Sequence, residues 1–279
     1  MRAVSLLLVG LVGCGSVQGA QSIDAASADA GSVDAGSVDA AVPDTISGPC
    51  NLAAPFANPT VVAGATNVGD ATVSYDELVI YFSLSQNQGI TTSRAARGTR
   101  TSAFPVGAAA PGVPDLLIGP SANESENVLY LQSGQGELLR MTRANSTASW
   151  ANLTDIGIAG VDPFVSRTAL YFSASGDLQA ARLVNGTFGT PARIDSLATG
   201  QIERNPIVSD DDLEIAFNRD TDIAVANRTS TSAQFSPGMT VTVGTLTNVH
   251  PVGISADRCR LYITAQVGNN SPLYVLSRP

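Results

Sequence analysis

Beyond residue 50, short apolar runs carrying an aromatic recur along the chain. They are Leu78-Val79-Ile80-Tyr81-Phe82, Val128-Leu129-Tyr130-Leu131, Ala169-Leu170-Tyr171-Phe172, Leu213-Glu214-Ile215-Ala216-Phe217 and Arg260-Leu261-Tyr262-Ile263. Their spacing of 41 to 49 residues is that of a four-stranded propeller blade. Polar hairpin signals lie just upstream, as in Val73-Ser74-Tyr75-Asp76, Val208-Ser209-Asp210-Asp211-Asp212 and Ile254-Ser255-Ala256-Asp257; short polar side chains there suit a tight turn. Downstream, a third strand closes on an arginine followed by an aromatic: Arg97 with Phe104, Arg143 with Trp150, Arg182 with Phe188, Arg228 with Phe235. The interval is seven residues three times and six once. A fourth run then follows, as over 150–159 or 235–243. Many of these strands are apolar at consecutive positions, which fits sheets packed on both faces.

The fifth unit ends on its third strand, Leu273-Tyr274-Val275-Leu276-Ser277, with Arg278-Pro279 after it. Its fourth strand is expected from the other end of the domain. Phe56-Ala57-Asn58-Pro59 repeats the spacing of Phe188-Gly189-Thr190-Pro191, so residues 56–63 are predicted to close the ring and cover two sheet edges. The prediction is an all-β, five-bladed propeller over residues 50–279, with six blades as the alternative. Pro206-Ile207-Val208-Ser209 with Asp211, then Ile215-Ala216-Phe217, then Asp222-Ile223-Ala224-Val225-Ala226-Asn227-Arg228 resembles the TolB-like, WD-type-related propeller repeats of exported bacterial proteins. Blades 2 and 3 depart from that pattern around Ser121 and Ser166. The resemblance implies a blade, not an activity.

Ahead of the repeats, Arg2 precedes an apolar stretch over 3–12, too short to span a bilayer and of signal-peptide length. Leu11-Val12-Gly13-Cys14 resembles the lipobox of bacterial lipoproteins. The resemblance implies a signal peptide over 1–13, a lipidated Cys14 and a membrane partner reached through that anchor; the competing reading is simple secretion with cleavage near Gly19. Residues 14–49 read as a flexible acidic tether of Ala, Ser and Asp. Asp24, Asp29, Asp34, Asp39 and Asp44 recur every five residues, a period of neither helix nor strand, and a tether of this kind spans ~30 Å on average. Gly15 after the cysteine is unlike the aspartate-type inner-membrane retention signal of some bacteria, so an outer-membrane location in the envelope is expected. With Cys14 lipidated, Cys50 and Cys259 are the two thiols left, and ring closure brings both to the fifth blade; a disulfide is expected there. A buried free Cys259 and a free Cys50 is the competing reading.

Charge and chemistry narrow the function classes. The net charge is −9 and all 15 basic residues are arginine, with no basic stripe, so nucleic acid is not an expected partner. The single histidine, His250, excludes a histidine-based metal cluster. Neither a Gly-x-Ser-x-Gly elbow nor a phosphate-cradling glycine loop is present, and no metal or cofactor is expected. The residues entering the innermost strand of each blade read Asp70, Leu117, Asp162, Asn205 and His250 in order. Four polar groups ringing a channel mouth are candidate contacts for a small ligand; their competing role is to satisfy backbone donors at loop ends. The expected function is a non-enzymatic, lipid-anchored envelope propeller that binds an envelope protein or extracellular ligand. The alternative is a glycoside hydrolase using carboxylates among Asp70, Asp162 and Glu203 at the channel mouth.

Overall fold

The computed structural model describes residues 50–86 and 89–279. The signal peptide, Cys14 and the tether expected over 1–49 lie outside the described residues. Five small antiparallel sheets follow one another along the chain. Blade 1 pairs β2 (Gly69–Val73), β3 (Val79–Gln86), β4 (Gly89–Ala96) and β5 (Ala108–Ala109) in that order. Blade 2 comprises β6 (Ile118–Ala122), β7 (Val128–Gln132), β8 (Glu137–Thr142) and β9 (Ala151–Ala159). Blade 3 has β10 (Val161–Val165), β11 (Ala169–Ala174) and β12 (Asp177–Val184), whose outer neighbour is split into β13 (Thr187–Phe188) and β14 (Ala192–Arg193). Blade 4 comprises β15 (Glu203–Val208), β16 (Glu214–Arg219), β17 (Asp222–Asn227) and β18 (Met239–Thr240).

Blade 5 has β19 (Thr247–Ile254), β20 (Arg260–Gln266) and β21 (Leu273–Ser277) from one end of the domain and β1 (Ala57–Val61) from the other. Thr60 pairs with Val275 and Val61 with Tyr274, so the ring closes as the repeat count requires, with five blades. Cys50 and Cys259 form the expected disulfide across this closure, their Cα atoms 5.8 Å apart.

Consecutive apolar positions in the strands are explained by blade-to-blade packing. Val79 and Tyr81 of blade 1 share a cluster with Leu129 and Trp150 of blade 2, and Tyr130 and Leu138 of blade 2 share one with Leu170 and Phe172 of blade 3. Val252 and Tyr262 of blade 5 meet Ile80 and Phe82 of blade 1. Both faces of each sheet are thus core, and a buried side chain such as Phe172 stabilises by about 2–3 kcal/mol.

The Ser-x-Asp signals are turn chemistry. Ser74 Oγ donates to Asp76 and accepts from the Val79 amide at 2.9 Å. Ser209 with Asp211 and Ser255 with Asp257 do the same for the amides of Glu214 and Arg260. In blade 2 Asn123 takes the place, accepting from Asn127 and Val128. Each hairpin is closed from within, and its next residue (Glu77, Glu126, Asp212 or Arg258) takes a left-handed φ of 50 to 66°.

Those left-handed residues anchor the repeated arginines. Arg97, Arg143 and Arg228 each donate Nε to the carbonyl of Glu77, Glu126 and Asp212, stack 4.3–4.4 Å over Phe104, Trp150 and Phe235, and donate to the tyrosine hydroxyl of the preceding blade: Tyr262, Tyr81 and Tyr171. The Arg182–Phe188 pair departs from the expectation. Asn185 and Gly186, at φ 51° and 79°, make a tight hairpin that pairs Phe188 with Leu183 and turns its ring onto Tyr130, 5.5 Å away. Arg182 is left exposed. The Asn-Gly dipeptide is the sequence signal for this, and the interval of six instead of seven is its trace.

Candidate functional site

The innermost strands β2, β6, β10, β15 and β19 touch one another around the ring and enclose a central channel. At the end where these strands begin, each carries a break in register: between Gly69 and Thr72, Ile118 and Ser121, Val161 and Phe164, Arg204 and Ile207, and within β19. At the bulge sits a left-handed residue, Asp70 (φ 37°), Gly119 (62°), Asp162 (54°) or Asn205 (52°). Asp, Asn and Gly are the residue types that tolerate this conformation, so the polar character of the ring follows largely from backbone geometry. The ring member of blade 2 is Gly119, and Leu117 is instead buried in the interface of blades 1 and 2. Counted along the ladder, the matching position of blade 5 is Pro251, and His250 reaches the channel from one residue earlier.

Asp70, Asp162, Asn205 and His250 do converge there, around a space of about 30 Å³, enough for a water or two. Burial pushes the Asp162 carboxyl up, opposed by the nearby polar groups of the Asn205 backbone and Ser173 and aided by the charge of Asp70. Burial also lowers the His250 imidazole, against the pull of Asp70 and Asp162. Its Nδ1 lies 3.1 Å from Asn218 Oδ1, while the Asn218 amide nitrogen donates to the Val249 carbonyl; Nδ1 therefore carries the proton and Nε2 offers a lone pair. Glu203 does not line this space. It is buried at the start of β15, bonded to the Thr199 hydroxyl and 3.5 Å from Arg219.

The opposite end of the channel, where the first hairpins turn, is wider and was not anticipated from the sequence. A hollow of about 240 Å³ opens there, floored by Val73, Tyr75, Phe164 and Val165 and rimmed by Asp76, Glu124, Asp210 and Arg100. Tyr75 stands edge-on to Phe164, with ring centroids 6.2 Å apart. Its hydroxyl is buried with no hydrogen-bond partner among the described residues. Burial, with the charges of Asp212 and Asp210 adding, holds this phenol well above its ordinary pKa. Arg167 ties the rim together, reaching Glu124 at 2.8 Å and Asp210 at 3.1 Å. Burial and the neighbouring charges of Glu124, Asp211 and Asp212 raise the Asp210 carboxyl despite Arg167. The sequence signal was the tyrosine inside the first Ser-x-Asp turn, where the other turns carry Asp210 or Ala256.

Ring, channel and closing strand define a five-bladed β-propeller. Among solved structures the chain is similar to an α-L-arabinofuranosidase from Podospora anserina in complex with cellotriose, with a TM-score of 0.53 and 12% identity over 83% of this chain and 99% of that one. A GH62 hydrolase in complex with xylotriose follows at TM-score 0.51 and 10% identity, over 80% and 97%. TolB from Acinetobacter baumannii matches at TM-score 0.46 and 15% identity over 80% of this chain; the chain spans 54% of TolB. At such identities the likeness is one of fold. No family model matches the chain, and no curated protein matches it in sequence.

Proposed function

We propose that this protein is a lipid-anchored propeller of the bacterial cell envelope that binds an envelope protein or an extracellular ligand, without catalysis, through the wide mouth of its channel. The observation that carries the reading is the concave mouth itself: an apolar floor, carboxylates from blades 1, 2 and 4 on the rim, and a buried phenol at Tyr75 still free to bond. Apolar concavity with a few convergent polar groups is the common form of a binding site. Anchoring rests on the lipobox at Cys14, and outer-membrane placement on Gly15 after it.

The glycoside-hydrolase reading draws support from Asp162, whose carboxyl is held toward its protonated form beside Asp70. The small space at that end and the distance of Glu203 from it favour binding over hydrolysis. A photo-crosslinking residue at position 124, with position 202 as control, tests the proposal in intact envelopes. Adducts formed from 124 alone are expected, together with release of Cys14→Ala from the membrane fraction. Absence of adducts, combined with turnover of a glycan such as xylotriose that Asp162→Ala abolishes, would overturn the reading in favour of the hydrolase.

A further inference from the structure

A second concavity lies at the seam of blades 3 and 4, beside the split outer strand of blade 3. In blades 1, 2 and 4 the repeated arginine reaches the preceding blade's tyrosine, and in this seam Arg228 bonds the Tyr171 hydroxyl beneath the groove. In blade 3 Phe188 has turned away, the outer strand is split in two, and a groove of about 580 Å³ opens between β12 and the 228–235 segment of blade 4. Its accessible apolar lining is Ala180, Leu183, Val184 and Ile194, with Tyr171 and Phe235 buried beneath. Three guanidinium groups, of Arg182, Arg193 and Arg228, face it against a single lining carboxylate, Asp195.

These arginines are unequally committed. Arg228 is held by the Asp212 carbonyl and Tyr171, and Arg193 pairs with Asp195 at 2.7 Å and Asp177 at 3.4 Å. Arg182 makes one long bond, 3.4 Å, to the Thr231 carbonyl. The Ser196 hydroxyl in the same wall is buried with no partner among the described residues. In a chain of net charge −9, a groove with a surplus of arginine and an unspent hydroxyl is built for carboxylates. Tyr171 and Phe235 are 2% and 4% exposed, so no aromatic face is offered to a sugar ring or a nucleobase.

We propose that the groove between blades 3 and 4 binds an acidic peptide segment of a partner protein, laid along the apolar lining with its carboxylates on Arg182 and Arg193. The site is separate from the channel mouth and does not depend on that reading. A fluorescein-labelled peptide of alternating glutamate and valine, and its glutamine counterpart, would be titrated against the full-length chain by anisotropy. The glutamate peptide is expected to bind more tightly, with an affinity that falls as salt rises. The double variant Arg182→Gln, Arg193→Gln should weaken it about ten-fold or more, an effect in the range of desolvated charge pairs, and leave thermal unfolding unchanged because both side chains are exposed. Single Arg182→Gln should show part of the loss. Equal binding of the two peptides, or undiminished binding by the double variant, would overturn the proposal.

Discussion

The guanidinium of Arg278 lies 3.9 Å over the ring of Phe56. Residues 222 positions apart in the chain thereby reproduce the stack that Arg143 and Trp150 make seven positions apart. Arg278 also donates to the Arg258 carbonyl at 2.9 Å and is paired with the buried Glu214 of blade 4. The closing strand is therefore held by its ladder, by a cation–π stack and by a disulfide next to it.

Reduction should loosen this closure first. A crosslink spanning 209 residues contributes about 2–5 kcal/mol, chiefly by restricting the unfolded chain. Urea unfolding with and without reductant, and of Cys50→Ser with Cys259→Ser, is expected to show a loss of that size. Peptide mapping without reductant should recover the two cysteines linked; recovery of both as free thiols would refute the bridge.

The repeated arginines should differ in weight according to burial. Arg143 bonds the Glu126 carbonyl and the Tyr81 hydroxyl and is nearly inaccessible. Arg143→Met leaves Glu126 and Tyr81 short of a partner and is expected to cost about 3 kcal/mol. Arg182→Met, with a single long bond to lose, should leave the midpoint where it was. Equal losses in chemical denaturation would contradict the blade-3 break described above.

Tyrosine burial sets the alkaline limit. Burial, aided by Asp212 and opposed by Arg228, pushes the Tyr171 phenol up to about 12. A raised pKa in the fold means that this stabilisation is complete below the unfolded value, near 10, and is lost as pH rises toward 12. Absorbance at ~295 nm should show the buried phenols ionising late or together with unfolding, and Tyr171→Phe should flatten the fall of stability between pH 10 and about 12. A single transition at the free-tyrosine value in the native protein would argue against this packing.

Acid should act through Glu126. Burial pushes its carboxyl up, but the bonds from Arg94 and Tyr81 and the charge of Arg143 outweigh it, and the pKa is lowered. Stability from this group is present above the ordinary glutamate range and lost as pH falls through the depressed value. Glu126→Gln should therefore be less stable at neutral pH, with the gap to the wild type closing as pH falls below about 4.

Gly112→Ala should be severe. The glycine has φ +85°, and an added Cβ would come within 2.2 Å of the Trp150 carbonyl oxygen, a backbone atom that cannot swing aside. A loss of more than about 3 kcal/mol is expected, against little change for Gly134→Ala, which meets nothing nearby.

The blade count, the closing strand and the cysteine pair were legible in the sequence because each is written in spacing. A repeat of fixed length fixes how many sheets form, and an orphan fourth strand at one end answers a missing one at the other. Local turn chemistry was legible for the same reason: Ser74 and Asp76 act on amides within five residues. The channel was read only in part. Asp70, Asp162, Asn205 and His250 do meet, but Leu117 stood in for Gly119 because a bulge shifts register without altering the hydrophobic pattern, and Glu203 was carried into the ring by proximity in sequence. What the tertiary structure alone decided lies between blades. The Tyr81–Glu126–Arg143 contacts, the mouth around Tyr75 and the groove around Arg182 join residues from neighbouring repeats, and a period in sequence says how far apart such residues are along the chain, not which of their side chains face one another across a seam. Those contacts follow from the angle at which one twisted sheet packs on the next, and that angle is set by the whole ring.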